Sequence, residues 1–180
     1  MERSKILNIV LASILLLLVI KDSYLAITNP SAEKSKIQNA SENIHNRKSV
    51  RSYTSQKPTA GQIDTLLRAA MAAPTAVNKQ PWAFVVVDDR QLLDDLGNNL
   101  PYAQMTTKAQ VAIVVCGDLN KTLEGDGQQF WIQDCSAATE NLLLAAEAIG
   151  LGAVWTGVYP MKDKMDYMTH RLNLPSHFVP

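Results

Sequence analysis

The sequence is poor in the residues that usually announce a metal or covalent site. Only two cysteines occur, Cys116 and Cys135, and neither sits in a C-x-x-C or Cys/His spacing. The three histidines, His45, His170 and His177, are scattered along the chain, so a zinc cluster has no ligand set to draw on. No G-x-G-x-x-G follows an apolar run, which removes the usual signature of a dinucleotide fold. Charge is balanced, with 17 lysines plus arginines against 17 aspartates plus glutamates. Without an overall basic field, nucleic acid is not the expected partner, and any bound anion must be held locally. An uninterrupted apolar run of the ~20 residues that cross a bilayer comfortably is also missing.

What is present suits one globular domain: 180 residues, 47% of them hydrophobic and 19% charged, enough for a substantial core. The leader differs from the rest. Arg3 and Lys5 precede the run Ile6 to Ile20, whose only polar residues are Asn8 and Ser13. This pattern reads, over residues 1–26, as a signal peptide cut after Ala26 or as an uncleaved membrane anchor through residues 6–20. Tyr24 suits a cut poorly, because a small residue is preferred three positions back. Either reading places the protein outside the cytoplasm or on the cell envelope. Residues 27–36, with Asn29-Pro30-Ser31, read as a polar tether. Cys116 and Cys135 fall in a predicted strand and a predicted helix, where they read as two small buried hydrophobes rather than a bridge.

After the tether, Ile37, Ala40 and Ile44 recur at helical spacing within 32–46. Thr59-Ala60-Gly61-Gln62 has the form of a capping box, followed by the stripe Ile63, Leu66, Leu67, Ala70 and Met71. Ala83 to Val87 and Val111 to Val115 are apolar runs without alternation, which predicts strands covered on both faces in an α/β layer. Gln91 to Leu96 reads as a short helix stopped by Gly97, and residues 98–108 as loop or weak helix. Trp131, Cys135, Ala138, Leu142, Ala145 and Ile149 repeat every three or four residues, predicting the longest helix and the spine of the core or of a subunit interface. Gly150-Leu151-Gly152 caps it. Ala153 to Pro160 reads as a short strand entering a turn, Lys162 to Leu172 as a polar helix, and Phe178 as the start of a strand.

Three stretches carry chemistry. Arg47-Lys48-Ser49-Val50-Arg51 sets three cations and a hydroxyl in five residues, donors that suit a phosphate, although a solvated helix end would have the same composition. Ala73-Pro74-Thr75-Ala76-Val77-Asn78-Lys79-Gln80-Pro81-Trp82 joins a helix to a strand. Pro74 should end the helix and Pro81 should hold Gln80 extended, leaving the amides of Asn78 and Gln80 on a braced loop. Trp155-Thr156-Gly157 lies where the short strand leads into a glycine-containing turn. Asp134, Glu140 and Asn141 read as helix surface or interface on the long helix, and Trp82 and Trp155 as core.

In order and spacing, these three stretches together with Gly150-Leu151-Gly152 resemble the nitroreductase family of flavin enzymes, over roughly Ile37 to Pro180. The resemblance implies an α+β fold, a mixed sheet surrounded by helices, in a domain spanning residues 37–180. It implies a homodimer with FMN at the subunit interface. Arg47, Lys48 and Ser49 would contact the flavin phosphate and ribityl chain, with Arg51 in support. Asn78, beside Gln80, would bind the polar edge of the ring. Pro74, Thr75 and Ala76 would line the cofactor from the partner subunit, and the N–H groups of Thr156 and Gly157 would face N5 and O4. The implied activity is hydride transfer from NADH or NADPH to flavin N5, then reduction of a nitroaromatic, quinone or similar flat acceptor. Members of the family usually continue past the equivalent of Pro180 with a further strand and a C-terminal arm, so a truncated chain is one expectation. Its alternative function is a non-catalytic flavin or nucleotide-binding module, or an envelope-tethered partner. A same-fold flavin enzyme for dehalogenation or flavin fragmentation is another.

Overall fold

The computed structural model describes residues 13–18, 20–21 and 40–180. The chain divides into two compact units, Met1–Ile37 and Gln38–Pro180. In the first, residues 13–18 and 20–21 are helical and exposed. Among the described residues no helix is long and apolar enough to cross a membrane. The expectation of export or of a membrane tether through 6–20 is corrected accordingly. The rest of the leader and the tether at 27–36 lie outside the described residues.

The second unit is built on its longest helix. Five helices are described here: α1 (Ala40–Asn46), α2 (Ala60–Met71), α3 (Arg90–Asn99), α4 (Phe130–Ala148) and α5 (Lys162–Arg171). Three strands accompany them: β1 (Trp82–Val87), β2 (Ala112–Asp118) and β3 (Phe178–Val179). The sheet order is β1-β2-β3 and both pairings are antiparallel. Trp82 faces Gly117 at one end of the first ladder and Val87 faces Ala112 at the other.

Helix α2 starts where the capping box predicts. Thr59 Oγ1 accepts from the Gln62 N–H at 3.2 Å, and Gln62 Oε1 accepts from the Thr59 N–H at 2.9 Å. The two bonds satisfy donors that a helix start otherwise leaves orphaned. The apolar stripe of α2 buries Leu66 and Ala70 in one core with Trp82, Trp131, Cys135, Ala138 and Leu142. A second core gathers Val87, Leu93, Leu96, Leu100 and Met168 from β1, α3 and α5. Each fully buried leucine stabilises by roughly 1.5–3 kcal/mol. Gly150, at φ +76, closes α4 in the left-handed region. The Leu151 N–H then reaches back to Ala146 O at 2.8 Å, the six-to-one bond of a Schellman cap.

Several elements depart from the sequence reading, each for a local reason. Gly97 does not stop α3 but lies buried inside it. A Cβ there would come within 2.6 Å of Thr107 Cγ2 and 2.7 Å of Thr106 Oγ1, so glycine lets the following segment cross close by. That segment forms a 3-10 turn at Gln104–Thr107. In α1 the expected apolar face is reversed: Ile44 is 57% exposed, while Asn43 is buried and donates to Leu144 O at 2.6 Å. Ile37 and the first part of the predicted helix lie outside the described residues. Ala153 to Pro160 is not a strand; it makes a single parallel bridge, Ser49 to Ala153.

Candidate functional site

That bridge brings two of the three chemical stretches together. The Val50 N–H donates to Ala153 O at 2.9 Å, laying 47–51 alongside 152–156. Gly152 permits the approach, since a Cβ on it would sit 2.7 Å from Val50 Cγ1. Arg47, at the end of α1, pairs with Glu140 of α4 at 3.4 Å. Lys48 and Arg51 are exposed. The Arg51 guanidinium makes only a long contact, 3.5 Å, to Ser49 O, and among the described residues the Lys48 ammonium has no partner. Tyr53 donates to Val50 O at 2.8 Å. Burial raises its phenol above the ordinary range, and the Arg51 charge pulls it back.

Thr156 is half-buried and Gly157 exposed. Neither N–H donates to a backbone carbonyl among the described residues, and a Cβ built on Gly157 meets nothing within 4 Å. Two donors and a bare backbone thus face open space. Beside them Trp155 is 48% exposed, so its expected place in the core is corrected; Trp82, at 7%, is core as expected. A cavity of about 1180 Å³ reaches Thr156 and Gly157 and is otherwise walled by groups such as Val50, Ser52, Val115 and Leu143. Alternate residues of an extended segment point to opposite sides. Val50 and Ser52 line this cavity, and Arg47, Lys48, Ser49 and Arg51 do not.

The third stretch forms its own compact loop. Pro74 is exposed, and α2 already ends at Met71, with Ala72 as its cap. A 3-10 turn at Ala76–Asn78 follows, closed by Asn78 N–H to Thr75 O and Lys79 N–H to Ala76 O, both 3.1 Å. Val77, Asn78 and Gln80 all have positive φ, at 44°, 58° and 50°. For a β-branched residue such as Val77 this is a costly conformation. Gln80 is therefore not extended. Its N–H is taken by Thr75 Oγ1 at 3.1 Å, and its Nε2 donates to Asn78 Oδ1 at 3.1 Å, bonds that favour the tight turn over the extended form Pro81 would prefer. The Asn78 NH2 group is left exposed and uncommitted.

Three α4 side chains that read as helix surface or interface do the fastening. Asp134, 6% exposed, accepts from the Ala76 N–H at 3.0 Å. Asn141 donates to Ala69 O, near the end of α2, at 3.1 Å, and Glu140 holds Arg47. A polar residue on the inward face of a helix otherwise made of alanine, leucine and cysteine was the one available signal. Asp134 and Glu140 are six residues apart, hence about 9 Å along the axis and roughly a third of a turn around it. Among the described residues no hydrogen bond or ion pair joins loop 74–80 to the cations or to Thr156-Gly157. Cys116 and Cys135 are free and buried, and burial pushes both thiols up to about 12, which leaves them unreactive.

Among the described residues this arrangement is rich in donors and holds no cluster of metal ligands. The nitroreductase family model matches residues 44–100 and 97–179, and the chain belongs to the nitroreductase family. The match takes in nothing before Ile44. A protein of Methanothermobacter thermautotrophicus assigned as an NADH dehydrogenase/NAD(P)H nitroreductase is 43% identical over 140 residues, 77% of this chain and 71% of that protein. A crystal structure of a protein so assigned from Parabacteroides distasonis superposes with a TM-score of 0.75 at 47% identity, covering 79% of this chain and 82% of the other. A nitroreductase from Desulfovibrio desulfuricans, solved in complex with FMN, gives 0.70 at 29% identity, covering 79% and 81%. The fold is the α+β fold of this family.

Proposed function

We propose that the protein is an NAD(P)H-dependent FMN oxidoreductase whose flavin-binding domain spans residues 37–180. The observation that carries the reading is a set of donors left largely unspent among the described residues at three motif positions: Lys48 and Arg51, the Asn78 amide, and the N–H groups of Thr156 and Gly157. The FMN complex of the Desulfovibrio relative supports the same cofactor here. Bound FMN supplies a centre that takes a hydride from a nicotinamide and passes electrons to a second substrate.

The chain's own residues bind and orient. Arg47, Lys48 and Ser49 hold the phosphate and ribityl chain, with Arg51 adding charge. The Asn78 NH2 donates to the ring edge, and Gln80 fixes its direction. The open N–H groups of Thr156 and Gly157 stabilise negative charge on the reduced ring as preorganised dipoles. As the family resemblance implies, Pro74, Thr75 and Ala76 would line the cofactor of a second copy in a homodimer. With FMN bound, the substrates would be NADH or NADPH and a flat acceptor such as a nitroaromatic or a quinone, and exposed Trp155 would offer them an aromatic face.

Protein incubated with FMN and then freed of unbound flavin should stay yellow and consume NAD(P)H when a nitroaromatic or quinone is added. A colourless protein that oxidises neither NADH nor NADPH with either acceptor would falsify the proposal. Asn78→Asp keeps a residue tolerant of positive φ but removes the donor. It should weaken FMN by about tenfold or more, the cost of a lost and unmatched hydrogen bond, while the melting temperature stays near that of wild type.

A further inference from the structure

We propose that Asp134 is a positioning residue, which holds loop 74–80 in its left-handed conformation and so aims Asn78. This deepens the proposed function and rests on it for the role of Asn78. The carboxylate is 6% exposed, on the fifth residue of α4, and its bond is to the Ala76 N–H at 3.0 Å. Ala76 opens the 3-10 turn, directly before Val77 and Asn78 at φ 44° and 58°.

A valine does not adopt such a backbone by local preference, so the turn must be over-determined by its surroundings. Within the loop the holding bonds are Thr75 O to Asn78 N–H, Ala76 O to Lys79 N–H, and Thr75 Oγ1 to Gln80 N–H. All of these move with the loop. The Asp134 bond is different, because it ties the start of the turn to a helix fixed in the core. A buried carboxylate is costly unless charge-assisted bonds satisfy it, and an N–H held by an anion is the stronger kind. Losing the carboxylate frees the turn to relax toward ordinary φ, and Asn78 swings with it.

The test uses the full chain, with two readouts. In the first, hydrogen exchange is measured on residues 73–81 without added flavin. Asp134→Ala should exchange faster there by about tenfold or more, while Asp134→Asn, which still offers an oxygen to the Ala76 N–H, should stay near wild type. If Asp134→Ala does not fold, Ala76→Pro removes the same bond from the loop side and is read in its place. In the second, FMN affinity is measured by fluorescence quenching around the Asp134→Ala/Asn78→Asp cycle. Asp134→Ala should weaken FMN several-fold alone and cost nothing further once the Asn78 donor is gone. Unchanged exchange at 73–81, or additive losses in the cycle, overturns the assignment. Failure of the wild-type chain to bind FMN overturns the proposed function instead, and the exchange measurement still decides whether Asp134 holds the loop.

Discussion

Replacing Gly152 by alanine should damage stability and cofactor binding together, because this glycine lies where the cationic segment is pinned. The added Cβ would stand 2.7 Å from Val50 Cγ1 and 3.1 Å from Val50 Cβ. Valine is stiff about χ1, and its Cβ is fixed by the backbone, so rotation alone cannot clear the clash. That backbone is itself held by the Val50 N–H to Ala153 O bond at 2.9 Å. The strain therefore passes to the bridge between 47–51 and 152–156. Overpacking of this kind costs about 1–3 kcal/mol. At roughly 2–4 °C per kcal/mol for a chain of this size, melting should fall by about 4–8 °C for a mid-range value. FMN affinity should drop as well, since the displaced residues carry the cations. Val50→Ala removes both γ-methyls, so the double variant should be clearly more stable than the two single losses added together. Melting curves and FMN titrations of the four proteins settle it. A Gly152→Ala protein that melts with wild type, or a strictly additive cycle, would refute the reasoning.

Other consequences can be checked as directly. Gly157→Ala places a methyl where nothing lies within 4 Å, so melting should move by no more than the ~0.5 kcal/mol typical of surface changes, while FMN titration shows weaker binding. Arg171 first, and then Tyr167, hold the Asp95 carboxyl below the usual carboxylate range. A depressed folded pKa means the contribution is present above the unfolded value near 3.8 and is lost as pH falls through the lower, folded one. Asp95→Asn should thus melt below wild type at neutral pH, with the gap closing in acid; a gap that persists there would contradict the pairing. Because burial pushes both cysteine thiols up to about 12, a thiol reagent at neutral pH should label neither until denaturant is added.

How much of this was legible in the sequence depended on what kind of force set each element. Helix α4 and the cap of α2 were readable because a three-four apolar repeat and a Thr-x-x-Gln box act within a few residues. The strands were readable because Ala83 to Val87 and Val111 to Val115 have no polar interruption. Gly97 was misread as a stop, since the reason for glycine there is Thr106 and Thr107 crossing overhead, a tertiary fact. Asn43, not Ile44, takes the inner face of α1, where its amide donates to a carbonyl of α4, a contact no local pattern announces. Gln80 escaped its proline rule when Thr75 and Asn78 offered better bonds. At the site, the motif residues stand as the sequence named them, as candidates, but Asp134 was passed over. A carboxylate on a helix looks the same in sequence whether it meets water or a backbone N–H fifty-eight residues away.

The grips along α4 also constrain how this helix can change. Asp134 holds loop 74–80, Asn141 holds α2, and Glu140 and the Leu144 carbonyl both hold α1 and its end, each from its own angle. Inserting or deleting one residue between Asp134 and Glu140 would turn one grip against the other by about 100° and shift it about 1.5 Å. No side-chain rotamer could restore both. The helix behaves as a ruler, on which many letters can be exchanged but the number of letters between the marks cannot.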